Sequence, residues 1–133
     1  MKKREKKGMA GKQILVIDDE PDIVDFLTAL FEDHGFETRS AHDGTQGLAR
    51  AREQAPDLIT LDVTMPGKSG VAVFKELRAD PALCHVPVFI ITGEHEFRQE
   101  MYSQADPPPE GYMEKPVDPE RLILDVKEIL NLP

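Results

Sequence analysis

The chain has 133 residues, the size of one ordinary domain, and a net charge of −9. Residues 1–8 hold five basic residues and one Glu, a net +4, so the remainder carries −13. An acidic body of that kind makes a poor nucleic-acid binder, because phosphate contact needs a basic face, and only the basic tail could touch nucleic acid or an acidic partner. A single cysteine, Cys84, excludes an internal disulfide and a multi-cysteine metal site, and it suits a reducing compartment.

No apolar run approaches the roughly 20 residues of a membrane span. The charged start Met1–Gly8 has no apolar stretch behind it before Gly11, so it does not read as a secretory signal. The expected location is the cytoplasm. Residues 1–11 read as a disordered basic tail, and residues 12–133 as the domain.

Gln13-Ile14-Leu15-Val16-Ile17 is a continuous aliphatic run closed by Asp18-Asp19, the pattern of a strand buried on both faces. Pro21 opens a helix, with Ile23, Phe26, Leu27, Leu30 and Phe31 spaced along one face, and Gly35 ends it. Phe36 to Ala41 reads as a weaker strand. Asp43 caps a helix running to about Gln54, ahead of Pro56. Leu58-Ile59-Thr60-Leu61 is the third strand, and it ends in Asp62. Met65-Pro66-Gly67-Lys68-Ser69-Gly70 has loop composition. Val71, Phe74 and Leu77 mark the buried face of a third helix that stops before Asp80-Pro81. Val86 to Ile91 forms a fourth strand closed by Thr92-Gly93, and a fourth helix is expected from Glu94 to about Gln104. Pro107-Pro108-Pro109 forbids helix. Tyr112-Met113-Glu114 is a short fifth strand before Lys115-Pro116. Asp118 as cap and Pro119 at the first helical position start the last helix, with Leu122, Val126, Ile129 and Leu130 facing inward.

Five strands alternating with five helices make an α/β fold, a doubly wound parallel sheet with helices on both faces. In such a sheet every strand's C-terminal end lies on one edge, where ligands bind. Asp18, Asp19, Asp62, Thr92 and Lys115 all stand at strand ends and are expected in one cleft. Three carboxylates crowded together stay ionised only with a cation among them. An all-oxygen set suits a hard ion such as Mg²⁺. With a phosphoryl group added, one carboxylate can attack phosphorus while a hydroxyl and an ammonium hold the other oxygens. Each placement alone is weak, since an acid after a strand is often a turn former. Five at one edge are not readily coincidental.

Four segments together resemble a response-regulator receiver domain of bacterial two-component signalling. They are Ile14–Glu20, Leu61–Gly67, Ile90–Gly93 and Tyr112–Pro116, and the resemblance covers about residues 12–131. It implies a flavodoxin-like strand order 2-1-3-4-5. It implies that Asp62 takes a phosphoryl group from a sensor histidine kinase, a histidine phosphotransferase or a small phosphodonor. Asp18, Asp19, Asp62 and the backbone carbonyl of Thr64 would hold Mg²⁺ (or Mn²⁺). Thr92 would contact the phosphoryl group, Lys115 would pair with it, and Tyr112 stands where the family places its switch aromatic. The chain departs from the family at Ala105–Gly111, where three prolines replace a run of small residues. Thr64 and Glu94 occupy the positions that tune phosphoryl lifetime in this family.

The expected role is therefore a phosphoacceptor, not an enzyme in the ordinary sense. A haloacid-dehalogenase-type phosphatase would want a second acid two residues after its nucleophile, and Thr64 stands there. A phosphorylation-independent interaction module typically lacks one of the five site residues, and all five are present. With no second domain expected and an acidic body, output falls to a downstream protein target or onward phosphoryl transfer. The resemblance also allows a phosphorylation-dependent homodimer. The expected switching surface joins the helix at 94–104, the fifth strand and the last helix. The four histidines lack metal-ligand spacing and read as surface or turn residues, and Cys84 as inert.

Overall fold

The computed structural model describes residues 11–93, 102 and 107–133. In chain order the described elements are β1 (Gln13–Ile17), α1 (Pro21–Asp33), β2 (Glu37–Ala41), α2 (Gly44–Glu53), β3 (Leu58–Leu61), α3 (Gly70–Ala79), β4 (Val88–Thr92), β5 (Gly111–Glu114) and α4 (Pro119–Ile129). The five strands form one parallel sheet in the order β2-β1-β3-β4-β5. The basic tail expected at 1–11 falls outside the described residues except for Gly11. The helix expected at 94–104 does so too, except for Tyr102, which is helical.

Alternation within the buried strands builds two cores. Leu15, Ile17, Ile59, Leu61, Val88 and Ile90 face the α2 and α3 side, against Leu48, Val73, Phe74 and Leu77. Ile14, Val16, Leu58, Phe89 and Ile91 face the α1 and α4 side, against Leu27, Phe31, Leu122 and Val126. Burying each such side chain contributes roughly 1.5–3 kcal/mol, so the apolar strand runs hold the sheet between its helix layers.

Helix faces differ from expectation in detail. Val24, Leu27 and Phe31 are the buried residues of α1, while Phe26 is 40% exposed. Both residue sets fit a helical period, and the angle at which α1 crosses the sheet selects between them. In α3, Val73 is fully buried and Val71 only partly so. In α4, Ile123 joins Leu122 and Val126 inside, with Ile129 and Leu130 packed at the margin. Strand β4 starts two residues later than expected, at Val88, because Pro87 has no N–H for the ladder. Gly35 ends α1 with φ +94°, a conformation that favours glycine.

The proline-rich segment is bound by one side chain. Arg78 donates to the carbonyls of Pro107 (3.0 Å), Pro108 (2.8 Å) and Val86 (3.1 Å) and pairs with Glu110 at 2.9 Å. Its guanidinium stacks 4.6 Å from the Phe74 ring centroid. Glu110 in turn accepts from the Val88 N–H at 2.8 Å, so the approach to β5 is tied to both α3 and β4.

Gly70 positions α3 against the sheet edge. A Cβ there would lie 2.1 Å from the Asp62 carbonyl oxygen and 2.5 Å from Val63 Cα, both backbone atoms that cannot step aside. Gly70→Ala is expected to cost roughly 1–3 kcal/mol of stability. Chemical denaturation checks this, and an unchanged midpoint would mean that the helix can retreat from β3 without strain.

Candidate functional site

Strand register brings the polar residues together. Ile17 pairs with Leu61, so the next residues, Asp18 and Asp62, leave β1 and β3 side by side. The Asp62 N–H still bonds to the Ile17 carbonyl at 3.0 Å, and the Asp18 N–H to the Ala41 carbonyl at 3.2 Å. Thr92 pairs with Glu114, and the Lys115 N–H donates to the Thr92 carbonyl at 2.9 Å. All five expected residues thus reach one edge, at the point between β1 and β3 where the chain reverses its direction of winding. Asp19, Asp62 and Lys115 line a cleft of about 350 Å³ there, together with Glu20, Thr64 and Gly93.

Asp18 is 2% exposed, Asp62 4% and Thr92 0%. Asp19 is half-buried and Thr64 is exposed on the rim. One carboxylate oxygen from each of Asp18, Asp19 and Asp62 lies within 4.8 Å of the others, the only such group of potential metal ligands among the described residues. Asp62 Oδ1 accepts from the Thr64 N–H at 3.3 Å, and Asp18 Oδ1 from the Glu20 N–H at 2.9 Å. Lys115 Nζ is 2.6 Å from Glu20 Oε1, 3.0 Å from Asp18 Oδ2 and 3.8 Å from Asp62 Oδ2. The buried Asp18 Oδ2 thus faces the Lys115 ammonium as an ion pair.

These contacts shift the titrations. Burial pushes the Asp62 carboxyl up to about 7, and the neighbouring Asp18 charge adds to the rise. Lys115 and the Thr64 N–H offset only part of it. Asp18 is also raised, again by burial, with the Glu20 N–H and Lys115 working against it. Burial alone would lower Lys115, but Glu20, then Asp18, then Asp62 outweigh it and hold the ammonium above its ordinary range. Three clustered carboxylates, each offering an oxygen within 4.8 Å of the others, form an all-oxygen set that fits a hard divalent cation.

Tyr112 lies on β5, partly buried against the α2 and α3 side of the core. Its ring meets that of Tyr102 edge to face, with centroids 6.2 Å apart. Glu94 and His95 lie outside the described residues. His34 caps α1, its ring nitrogen 3.0 Å from the Leu30 carbonyl, which agrees with a turn role. Cys84 is half-buried in the turn before β4. Sequence reasoning missed Glu20. Its signal was an acid directly after two strand-end aspartates and directly before the proline that opens α1.

Residues 14–127 match the response regulator receiver domain family. The chain is 32% identical to Protein PilH of Pseudomonas aeruginosa, over 89% of this chain and 97% of PilH. It is 34% identical to the DNA-binding response regulator MtrA of Mycolicibacterium smegmatis, over 90% of this chain but only 51% of MtrA, so it spans about half of that relative. The chemotaxis protein CheY4 of Vibrio cholerae superposes with a TM-score of 0.80 at 29% identity, covering 91% of this chain and 98% of CheY4. The chain belongs to the response regulator receiver family, the phosphoacceptor signalling modules of two-component systems. No helix among the described residues is long and apolar enough to cross a membrane.

The raised Asp62 titration has a thermodynamic consequence. Between its ordinary value of 3.8 and about 7, the folded protein binds more protons at this site than the unfolded chain. Stability of the metal-free protein therefore falls as pH rises through that window. With chelator present, Asp62→Asn is expected to flatten that fall and to gain roughly 1–3 kcal/mol above neutral pH. Thermal melts across pH check this, and a variant no more stable than the parent at about pH 8 would contradict it.

Proposed function

We propose that Asp62 is the phosphoacceptor, taking a phosphoryl group from a sensor histidine kinase or histidine phosphotransferase in the cytoplasm. The observation that carries this reading is the buried Asp62 carboxylate at the mouth of the cleft, beside two further acids and one lysine. In the transfer an Asp62 oxygen forms a bond to phosphorus as the donor's P–N bond breaks. The departing imidazole nitrogen keeps the electron pair and takes a proton. Asp18, Asp19, Asp62 and the carbonyl of Thr64 would hold Mg²⁺ (or Mn²⁺). When bound there, such an ion neutralises charge on the carboxylates and the phosphoryl oxygens.

Thr92 and Lys115 are the remaining oxygen-holding groups. Thr92 supplies a hydroxyl at the end of β4. Lys115 supplies an ammonium whose charge its acidic neighbours hold against the opposing effect of burial. A ligand shifts an equilibrium only through contacts that differ between two states. New contacts from a phosphoryl group to Thr92 and Lys115 meet that condition. Tyr112 lies on β5, three residues before Lys115, which directly follows that strand, and this supports a route from the cleft to the β5 side of the sheet. Output then passes to a downstream protein target or by onward phosphoryl transfer, with no direct nucleic-acid contact expected from this acidic body. Residues 12–133 act as one unit in this reading. The chain's catalytic part is limited to assisting the making and breaking of its own aspartyl phosphate.

Asp62→Asn is expected to abolish acid-labile labelling by a small phosphodonor such as acetyl phosphate, and chelation of divalent metal to suppress labelling of the parent. Undiminished labelling of the variant would end the assignment.

The chain has two tyrosines and no tryptophan, so its intrinsic fluorescence reports Tyr102 and Tyr112 alone. A phosphoryl mimic such as beryllofluoride is expected to change that emission in the parent protein. Lys115→Ala should still accept label from the phosphodonor but lose most of the fluorescence change. A full parental response in that variant would make Lys115 a bystander.

A further inference from the structure

Three of the four described helices spend the side chain of their N-cap residue on a backbone N–H. Asp43 accepts from Gln46, Ser69 from Ala72 and Asp118 from Arg121. Glu20, at the N-cap of α1, makes no such bond. Its backbone is held in other ways. The N–H donates to Asp18 Oδ1 at 2.9 Å, the carbonyl accepts from Ile23 and Val24 at 3.0 Å each, and Pro21 follows at the first helical position. With the backbone clamped, the carboxylate reaches across the cleft to Lys115 Nζ at 2.6 Å.

Lys115 is fixed at its root by the bond from its N–H to the Thr92 carbonyl, so only the tip of its side chain can choose among partners. The tip lies closer to Glu20 (2.6 Å) and Asp18 (3.0 Å) than to Asp62 (3.8 Å). Asp18 is buried directly after β1, whereas Glu20 is 58% exposed at the N-cap of α1. We propose that Glu20 is a positioning residue that detains the Lys115 ammonium on the α1 side of the cleft, in competition with an anionic group on Asp62. This rests on the roles given to Asp62 and Lys115 above. An anion arriving on Asp62 must draw the ammonium off Glu20. The pair Glu20–Lys115 thus sets the threshold for the switched state, and α1 gains a link to β5 that exists only in the resting protein. Glu20 touches neither phosphorus nor metal in this role. It acts through Lys115.

The test is calorimetric titration of the full chain with beryllofluoride at saturating Mg²⁺, for Glu20→Gln, Glu20→Asp, Lys115→Ala and the double variant Glu20→Gln with Lys115→Ala. A partly exposed ion pair is weak, so Glu20→Gln is expected to bind the mimic roughly two- to five-fold more tightly than the parent. Glu20→Asp keeps the charge but is one methylene shorter, and it should shift the same way because reach is lost. On the Lys115→Ala background, Glu20→Gln should change nothing. The thermal midpoint of Glu20→Gln should fall by no more than a few degrees, since its carboxylate caps no helix and loses only a partly exposed ion pair.

An unchanged or weakened affinity in Glu20→Gln, with Lys115→Ala clearly impaired, overturns the proposal and leaves the roles of Asp62 and Lys115 standing. An equal gain with and without Lys115 also overturns it, because the effect would then be bulk charge and not positioning. Parental binding by Lys115→Ala would remove the lysine's role and the proposal together. A loss of Mg²⁺ affinity in Glu20→Gln as large as in Asp19→Asn, with no gain for the mimic, would assign Glu20 to the metal and overturn it as well.

Discussion

Asp18 and Asp62 stand side by side because β1 and β3 are parallel neighbours whose register ends at the same level, Ile17 opposite Leu61. Neither side chain can withdraw, since each backbone is still bonded into the sheet. Two buried carboxylates are thereby held close, with Asp19 beside them. Charged groups in such a place are costly unless paired. The fold meets that cost in part with the Thr64 and Glu20 N–H groups and the Lys115 ammonium. The remainder is visible in the Asp62 carboxyl, raised to about 7. A site in this condition favours binding of positive charge and addition of a group that changes the carboxylate. The chemistry of the cleft thus begins as an electrostatic conflict imposed by strand register.

The lysine is where that conflict meets the rest of the molecule. Lys115 follows β5, whose Tyr112 packs toward the α2 and α3 side of the core. The same strand is tied upstream to α3 and β4 through Arg78 and Glu110. Its ammonium is shared among Glu20 at the N-cap of α1, Asp18 just after β1 and Asp62 just after β3. Arg78 shows the opposite design. Its five-donor guanidinium is saturated by carbonyls and Glu110, is 6% exposed and stacks on Phe74, so the proline-rich segment has a fixed anchor.

Strand content was legible because strands buried on both faces read as unbroken aliphatic runs, and each was closed by a polar residue that marked the sheet edge. The caps Asp43 and Asp118, the stop at Gly35 and the loop before Gly70 were legible because those residue types have few other reasons to stand there. Helix faces were less so. On α1 the alternatives Phe26 and Val24 satisfy the same period, and only packing against the sheet leaves Phe26 exposed and Val24 inside.

By itself the sequence determined the alternation of strand and helix, and hence a parallel sheet whose chemistry-bearing residues 18, 19, 62, 92 and 115 share an edge. Those are consequences of local periodicity and chain connectivity, which a one-dimensional pattern carries. Distances between side chains from different strands are not carried in that way. Tertiary structure alone decided that Lys115 rests on Glu20 and Asp18 before Asp62, that Asp18 is buried against that ammonium, and that burial raises Asp62. Each depends on how closely elements nearly a hundred residues apart approach, and that approach is set by sheet register and helix packing across the whole domain.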